Sequence, residues 1–267
     1  MLLAERVTDV ILCGAVTSVC IDSTGRAAHE RGFRVHQLSD CSCGRTQLEQ
    51  EQFCKEVFPL YSEVSTTDAV ISKVLAAMPR SHVAAQLHSD VAAMQPSAFL
   101  QADVAGADVF ARTAVIMIGY QKDYFDPNGK LHAVIEASAS AVLANTLKLF
   151  TALEATSTIF IETPILFTKD YRELIEPSGI LKVIKDVQAF QAGEAGAETI
   201  PEVQALGSRV LQIPGKRGLN AFTGTCLADL LLAERVTDVI LCGAVTSVCI
   251  DSTGRAAHER GFRVHQL

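Results

Sequence analysis

The chain has 267 residues, of which 49% are hydrophobic and 20% charged, and its 30 acidic and 23 basic side chains give a formal charge of −7 at pH 7. This composition is that of a globular protein and excludes long disordered, collagen-like and coiled-coil structures. The pI near 5.5 and the absence of tryptophan argue against nucleic acid as a partner. No apolar run approaches the roughly 20 residues that cross a bilayer, so we expect no membrane segment.

The eight cysteines show neither paired CxxC spacing nor histidines at zinc-finger intervals. They stand at positions 13, 20, 41, 43, 54, 226, 242 and 249. Such a pattern is typical of free thiols in a reducing compartment, so the sequence predicts a cytoplasmic protein.

An internal repeat decides how the chain is interpreted, because residues 2–38 recur letter for letter at 231–267. A solenoid repeat is shorter and occurs at least three times, so this duplication is not architectural. Two identical segments compete for one place in the fold, and the sequence leaves open which of them docks. The copy left out would expose an apolar strand, which favours a homo-oligomer, including one with exchanged segments.

In chain order, the first copy predicts a strand, a helix and a second strand, and a helix (45–58) and a short strand (61–64) follow. Residues 79–112 form a joining segment. The next predicted elements are a buried strand (113–118), a helix (135–153), a strand (157–162), an irregular wall or lid (165–205), a strand (209–213), a helix (221–234), and the strand, helix and strand of the second copy. This alternation predicts an α/β fold, a mostly parallel, doubly wound sheet of about six strands with helices on both faces.

Two candidate catalytic side chains follow strands of this sheet. Cys249 lies in the first turn of a helix directly after a strand, where the helix dipole and free N–H groups stabilise a thiolate. The alternative is a small apolar cysteine packed under the sheet, and Cys20 has the same neighbours in the first copy. Lys216 stands between Gly215 and Gly218, which let the backbone turn its side chain inward; the alternative is a solvated surface lysine.

Four stretches together resemble the isochorismatase-like cysteine hydrolase superfamily, which includes nicotinamidases and N-carbamoylsarcosine amidases. They are AVIMIGYQKDYF at 114–125, AFQAGEAGAETIPEV at 189–203, KRGLNAFTGT at 216–225 and CGAVTSVC at 242–249. The family order is intact only when residues 113–267 are followed by 39–78. The resemblance therefore implies a single, circularly permuted domain in which 2–38 duplicates 231–267.

The resemblance implies roles for individual residues. Cys249, or Cys20 in the duplicate, corresponds to the nucleophile, Lys216 to the lysine that activates it, and the Ala244–Val245 bond to a cis peptide that shapes the oxyanion site. The predicted pocket residues are Tyr120, Gln121, Asp123, Phe125, Phe167 and Phe222. Family members that bind zinc use an Asp and a His after the second strand, and residues 162–171 contain no His, so we expect neither a metal nor another cofactor.

One catalytic position departs from the family, because Gly119 stands where the family usually has an aspartate. That carboxylate normally transfers the thiol proton to the leaving group. Glu162, at the end of the second strand, is predicted to replace it beside Lys216, with Asp123 as the competing candidate. Alternatively, Glu162 merely pairs with Lys216 or caps a helix of the lid.

The resemblance implies hydrolysis of a small amide or related C–N bond through an acyl-enzyme, with a small molecule as substrate. Two alternatives remain open at this point. One is vinyl-ether hydrolysis of an isochorismate type, which some family members perform without a cysteine. The other is a catalytically weakened binding or assembly protein, which the glycine at position 119 suggests.

Overall fold

The structure is a computed structural model that describes residues 7–77, 112–174 and 176–266. Strands and helices alternate along these residues and every strand pair is parallel, which confirms the predicted α/β class. The strands are β1 Asp9–Ala15, β2 Arg34–Cys43, β3 Glu63–Ser65, β4 Thr113–Ile118, β5 Ile159–Thr163, β6 Val210–Gln212, β7 Asp238–Gly243 and β8 Arg263–Gln266.

The helices cover the sheets and carry the connections between strands. They are α1 Asp22–Glu30, α2 Gln47–Gln52, α3 Thr67–Ala77, α4 Lys122–Phe125, α5 Ala139–Leu153, α6 Gly179–Asp186, α7 Pro201–Gln204, α8 Leu227–Ala233 and α9 Asp251–Glu259. The predicted joining segment, 79–112, lies outside the described residues except for Arg112. No helix in the described ranges is long and apolar enough to cross a membrane.

The larger sheet has five strands in the order β6-β5-β4-β7-β8. Its central strand β4 is the run TAVIMI, and all six of its side chains are buried. Such a continuous apolar run is typical of a parallel strand with both faces covered. Ile118 of β4 lies opposite Thr163 of β5 and Gly243 of β7, so the carboxyl ends of these three strands meet at one edge.

The first copy of the repeat belongs to a separate sheet, in the order β1-β2-β3, whose third strand lies beyond the copy. The strands therefore divide between two sheets, whereas the sequence predicted one sheet of about six. Each copy contains a complete strand–helix–strand unit, so β1 pairs with β2 and β7 pairs with β8 through short-range connections. Both copies fold, and β7 of the second copy is the one that pairs with β4.

Side chains of β4 and β5 alternate between two cores because successive residues of a strand point to opposite faces. Ile116 and Ile161 belong to the larger cluster, which also contains Cys249. Met117 and Phe160 belong to the smaller cluster, which faces α5. This alternation determines which polar side chains reach Cys249.

Candidate active site

Cys249 lies in a helical turn, Thr246–Ile250, between β7 and α9. Gly243 ends β7 with φ +119° and lies so close to β4 that a Cβ atom there would be 2.0 Å from the carbonyl oxygen of Ile118. Only glycine fits this position. The peptide bond between the following two residues, Ala244–Val245, is cis, as is its counterpart in the first copy, Ala15–Val16. The Cys249 side chain is buried, with 3% of its surface exposed.

Lys216 reaches Cys249 from the segment that follows β6. Its Nζ lies 3.2 Å from the Cys249 Sγ and donates to the carbonyl oxygen of Gly218 at 2.8 Å. Its backbone carbonyl accepts from Leu166 at 3.1 Å, which fixes this segment to the chain that follows β5. Lys216 is fully buried. A buried ammonium group is costly unless a counter-charge accompanies it, and a thiolate at Cys249 would supply that charge.

The two copies of the nucleophile motif differ in their surroundings although their sequences are identical. Cys20 is exposed, whereas Cys249 is buried beside Lys216. The structure therefore brings together Cys249 and Lys216, and it leaves Cys20 outside this pair. Cys242, the next-to-last residue of β7, is a core thiol, and burial raises its pKa to about 11. All eight cysteines are free thiols.

Gly119 lies at the same edge, directly after β4. A Cβ atom built on it would be 2.9 Å from the carbonyl oxygen of Ala244 and 3.4 Å from the ring of Tyr124. Its φ of +74° is in the left-handed region, which favours glycine. The residue thus lies against the cis peptide, but it supplies no carboxylate to Cys249.

Glu162 is not brought to this pair, although the sequence predicted it as the replacement acid or base beside Lys216. Glu162 lies within β5, two residues after Phe160, so both side chains point to the same face of the sheet. This face is opposite to the cluster that contains Cys249. Its carboxylate accepts from the Thr199 hydroxyl at 2.5 Å and from the Gln212 amide at 3.1 Å. Side chains two residues apart on a strand point to the same face, so the face of Phe160, and not the end of the strand, decides where Glu162 points.

The Glu162 carboxyl instead borders a cavity of about 570 Å³ that Thr199, Gln204 and Gln212 also line. Burial raises the pKa of this carboxyl, while the bonds from Thr199 and Gln212 oppose that shift. Glu162 thus carries a buried carboxyl group on the face of the sheet opposite to Cys249.

Asp123 and Gln121 join loops rather than reaching the thiol. The Asp123 carboxylate accepts from the backbone N–H of Phe190 at 2.7 Å, and a Cβ atom on Gly196 would lie 2.2 Å from one of its oxygens. The Gln121 side chain exchanges two bonds of 2.8 Å with the backbone of Ile165. Both side chains therefore fix the segment after β4 onto the segments that surround it.

The predicted aromatic pocket residues pack into cores instead of lining one pocket. Tyr120 bonds the Thr146 hydroxyl at 2.5 Å and stacks on Phe125, with 4.9 Å between the ring centroids. Both contacts belong to the core that faces α5.

The other two aromatic residues lie in the larger core. Phe167 packs on Tyr171 at 5.4 Å, and Phe222 stacks on Phe262 at 6.3 Å. Phe222 is nevertheless only six positions from Lys216, so it stabilises the segment that carries the lysine.

Tyr124 is a residue of the site to which the sequence reasoning gave no role. It is 1% exposed, and burial raises the pKa of its hydroxyl, with the negative charges of Cys249 and Asp123 as further causes. Its ring lies against Gly119, since a Cβ atom on that glycine would be 3.4 Å from it. The motif match at 114–125 was the only sequence signal that pointed to it.

A second cavity, of about 350 Å³, borders the segment that carries Lys216. Gly215, Arg217 and Gly218 line it on one side, and His29, Glu30 and neighbouring residues of the first copy line it on another. The first copy of the repeat thus lines this cavity together with the neighbours of Lys216 in sequence. No group of three or more potential metal ligands occurs among the described residues.

Comparison with known proteins places this geometry in a family. The model of the "Isochorismatase domain" matches residues 1–69 and 113–267. The chain therefore belongs to the isochorismatase family of hydrolases. Both copies of the repeat lie inside the matched residues, and residues 70–112 lie outside them.

Among individual relatives, the chain is 26% identical over 153 residues to "Nicotinamidase 3" of Arabidopsis thaliana, covering 54% of this chain and 75% of that protein. It is 28% identical over 150 residues to "Uncharacterized isochorismatase family protein YddQ" of Bacillus subtilis (strain 168), covering 56% and 72%. A solved cysteine hydrolase from Pseudomonas syringae pv. phaseolicola 1448A superposes with a TM-score of 0.51 and 26% identity, covering 59% of this chain and 70% of the other.

Proposed function

We propose that this enzyme hydrolyses a small amide or a related C–N bond, with Cys249 as the nucleophile. The observation that carries the proposal is the 3.2 Å contact between Lys216 Nζ and Cys249 Sγ in a site from which solvent is excluded. A thiolate, not a thiol, is the effective nucleophile, and an adjacent ammonium group favours the thiolate. The names of two relatives, a nicotinamidase and a cysteine hydrolase, support the same chemistry.

In the proposed reaction the Cys249 sulfur forms a bond to the substrate carbonyl carbon, and the C=O electron pair moves onto oxygen. Backbone N–H groups around the cis Ala244–Val245 bond are proposed to hold this oxyanion. When the oxyanion collapses, the C–N bond breaks and the amine takes a proton. Water then hydrolyses the thioester: its hydroxyl group bonds to the acyl carbon, its proton goes to Lys216, and the C–S bond breaks to release the acid and regenerate the thiolate.

The proton for the leaving amine needs a source other than residue 119. Lys216 is the proton-bearing group in contact with the sulfur, and we assign this transfer to its ammonium group, which water re-protonates in the second half of the reaction.

Release of ammonia from nicotinamide and other small primary amides tests the proposal. Wild type and Cys20→Ser should release ammonia, whereas Cys249→Ser should not. Equal activity in Cys249→Ser and wild type would refute a cysteine mechanism at this position. The vinyl-ether reaction, which needs no thiol and releases no ammonia, would be favoured instead if neither protein released ammonia and both cleaved a vinyl ether equally.

A catalytically weakened binding protein remains the second candidate, because Gly119 supplies no carboxylate against the cis peptide. This candidate predicts that substrate analogues protect Cys249 from alkylation although no amide is turned over. Ammonia release that depends on Cys249 excludes it.

A further inference from the structure

The segment that carries Lys216 is a closed loop, residues 215–224, which we call the lysine loop. Its two ends approach each other, since a Cβ atom on Gly215 would lie 3.4 Å from the carbonyl oxygen of Gly224. Both glycines have left-handed backbones, with φ +101° and +72°. The position of the Lys216 side chain thus depends on what holds the middle of this loop.

The side chain that holds it is Glu30, the last residue of α1 in the first copy. One of its carboxylate oxygens accepts from the Asn220 backbone N–H at 2.6 Å. The other accepts from the Asn220 side-chain amide at 2.5 Å and from the Thr223 hydroxyl at 3.2 Å. The Asn220 side-chain oxygen, Oδ1, in turn accepts from the backbone N–H of Thr223 at 3.0 Å. One carboxylate therefore fastens the centre of the lysine loop.

The second copy offers an internal comparison, because Glu259 has the same neighbours in sequence as Glu30. The Glu259 side chain is exposed and makes no hydrogen bond or ion pair with the residues that the structure describes. The contacts of Glu30 are thus a property of where the first copy docks, and not of its sequence alone.

The docking of the first copy is specific, because α1 and α9 exchange reciprocal ion pairs. Arg26 contacts Asp22 of its own helix at 3.0 Å and Asp251 of α9 at 3.4 Å. Arg255 contacts Asp251 of its own helix at 2.9 Å and Asp22 of α1 at 3.1 Å. This is the self-complementary pattern of a two-fold contact, formed here within one chain. It fixes α1 and therefore the place of Glu30.

The charge of Glu30 acts on the catalytic lysine. Burial raises the pKa of the Glu30 carboxyl, whereas the bonds from Asn220 and Thr223 and the charges of Lys216 and Arg31 oppose this shift. Glu30 therefore lies within electrostatic reach of Lys216. Its buried negative charge would be energetically unfavourable without these partners.

We propose that Glu30 is a positioning residue for Lys216, supplied by the first copy of the repeat in the way a partner subunit would supply it. Both of its oxygens are occupied by the lysine loop, so it acts through that loop and not by transferring a proton to substrate. The first copy is then a functional part of the site. The consequence for turnover depends on the proposed function, but the effect on the Cys249 thiol does not.

The test compares Glu30→Gln with the matched control Glu259→Gln, both in a Cys20→Ser background. The rate of Cys249 alkylation by iodoacetamide is measured against pH. We expect the midpoint of the Glu30→Gln profile to rise by roughly one pH unit, the equivalent of one hydrogen bond to a charged group. The control should keep the starting midpoint. A substitution that merely changes the access of iodoacetamide to Cys249 would change the limiting rate at high pH without moving the midpoint.

Thr223→Val serves as a second variant, because it removes one bond to Glu30 from an exposed position and leaves the carboxylate in place. It should shift the midpoint in the same direction by a smaller amount. Equal midpoints in Glu30→Gln and Glu259→Gln, or a downward shift in Glu30→Gln, would overturn the proposal. If the midpoint shifts as expected but no amide is hydrolysed, the proposed function fails and this inference survives.

Discussion

Replacing Lys216 by methionine isolates the contact on which the account depends. Methionine keeps nearly the length of the lysine side chain and removes its charge and the bonds to Cys249 Sγ and the Gly218 carbonyl. A hydrogen bond to a charged group contributes about 1.5–3 kcal/mol, which corresponds to a tenfold to hundredfold change in an equilibrium. We therefore expect alkylation of Cys249 at pH 7 to slow by about tenfold to hundredfold.

The assay follows the tryptic peptide 236–255 by mass spectrometry in a Cys20→Ser background. That substitution is needed because residues 7–26 otherwise give an identical peptide. Fragmentation separates Cys249 from Cys242, whose raised pKa keeps it slow. Lys169→Met is the control, since the Lys169 side chain is 78% exposed.

Thermal unfolding shows whether the Lys216 variant is intact, because removing one partner of a buried charged pair destabilises a protein by about 3–5 kcal/mol. An unchanged rate of Cys249 alkylation in folded Lys216→Met would refute the reasoning.

Three further outcomes follow from the structure. Gly119→Asp should lower the free energy of unfolding by about 1–3 kcal/mol, measured with urea, because the residue has a left-handed backbone and its Cβ would contact the Ala244 carbonyl oxygen; unchanged stability would contradict this. Glu162→Gln should leave Cys249 alkylation unchanged and flatten the pH dependence of stability. The sign follows from the raised pKa of Glu162: the folded state binds the proton more tightly, so wild-type stability falls as pH rises from the unfolded value of about 4.5 through the folded value. Arg26→Met should lower the free energy of unfolding by about 3 kcal/mol or more, and by more than Arg255→Met does. The reason is that the Arg26 side chain is 4% exposed and that of Arg255 is 25% exposed. Equal urea midpoints of the two variants would show that the two pairs are equivalent.

The sequence predicted the elements that depend on local pattern. The apolar run 113–118 is a strand with the predicted bounds, and the alternation of strands and helices gave the parallel α/β class. The helix predicted at 135–153 begins instead at Ala139, after a short turn at His132–Val134. The helix predicted at 45–58 changes its winding at Phe53. These differences concern boundaries, where local signals are weakest.

The errors concern long-range placement. Glu162 was assigned to the wrong face because the prediction used only its place at the end of a strand, whereas side chains alternate along a strand and Glu162 follows Phe160 by two residues. The division into two sheets could not be predicted, because the two copies have identical sequences and only their tertiary partners distinguish them. Cys20 and Cys249 differ for the same reason. The role proposed here for Glu30 depends entirely on a contact between residues 190 positions apart.

The central claim is that Cys249, paired with Lys216, is the activated thiol of this hydrolase. The most direct test is the pH dependence of iodoacetamide alkylation in wild type, Cys20→Ser and Cys249→Ser. In wild type and Cys20→Ser, the account predicts a fast-reacting thiol whose alkylation profile has its midpoint well below the reference value of about 8.5 for a free cysteine. In Cys249→Ser this fast-reacting thiol should be lost. Loss of that thiol in Cys20→Ser alone, or the same slow profile in all three proteins, would contradict it.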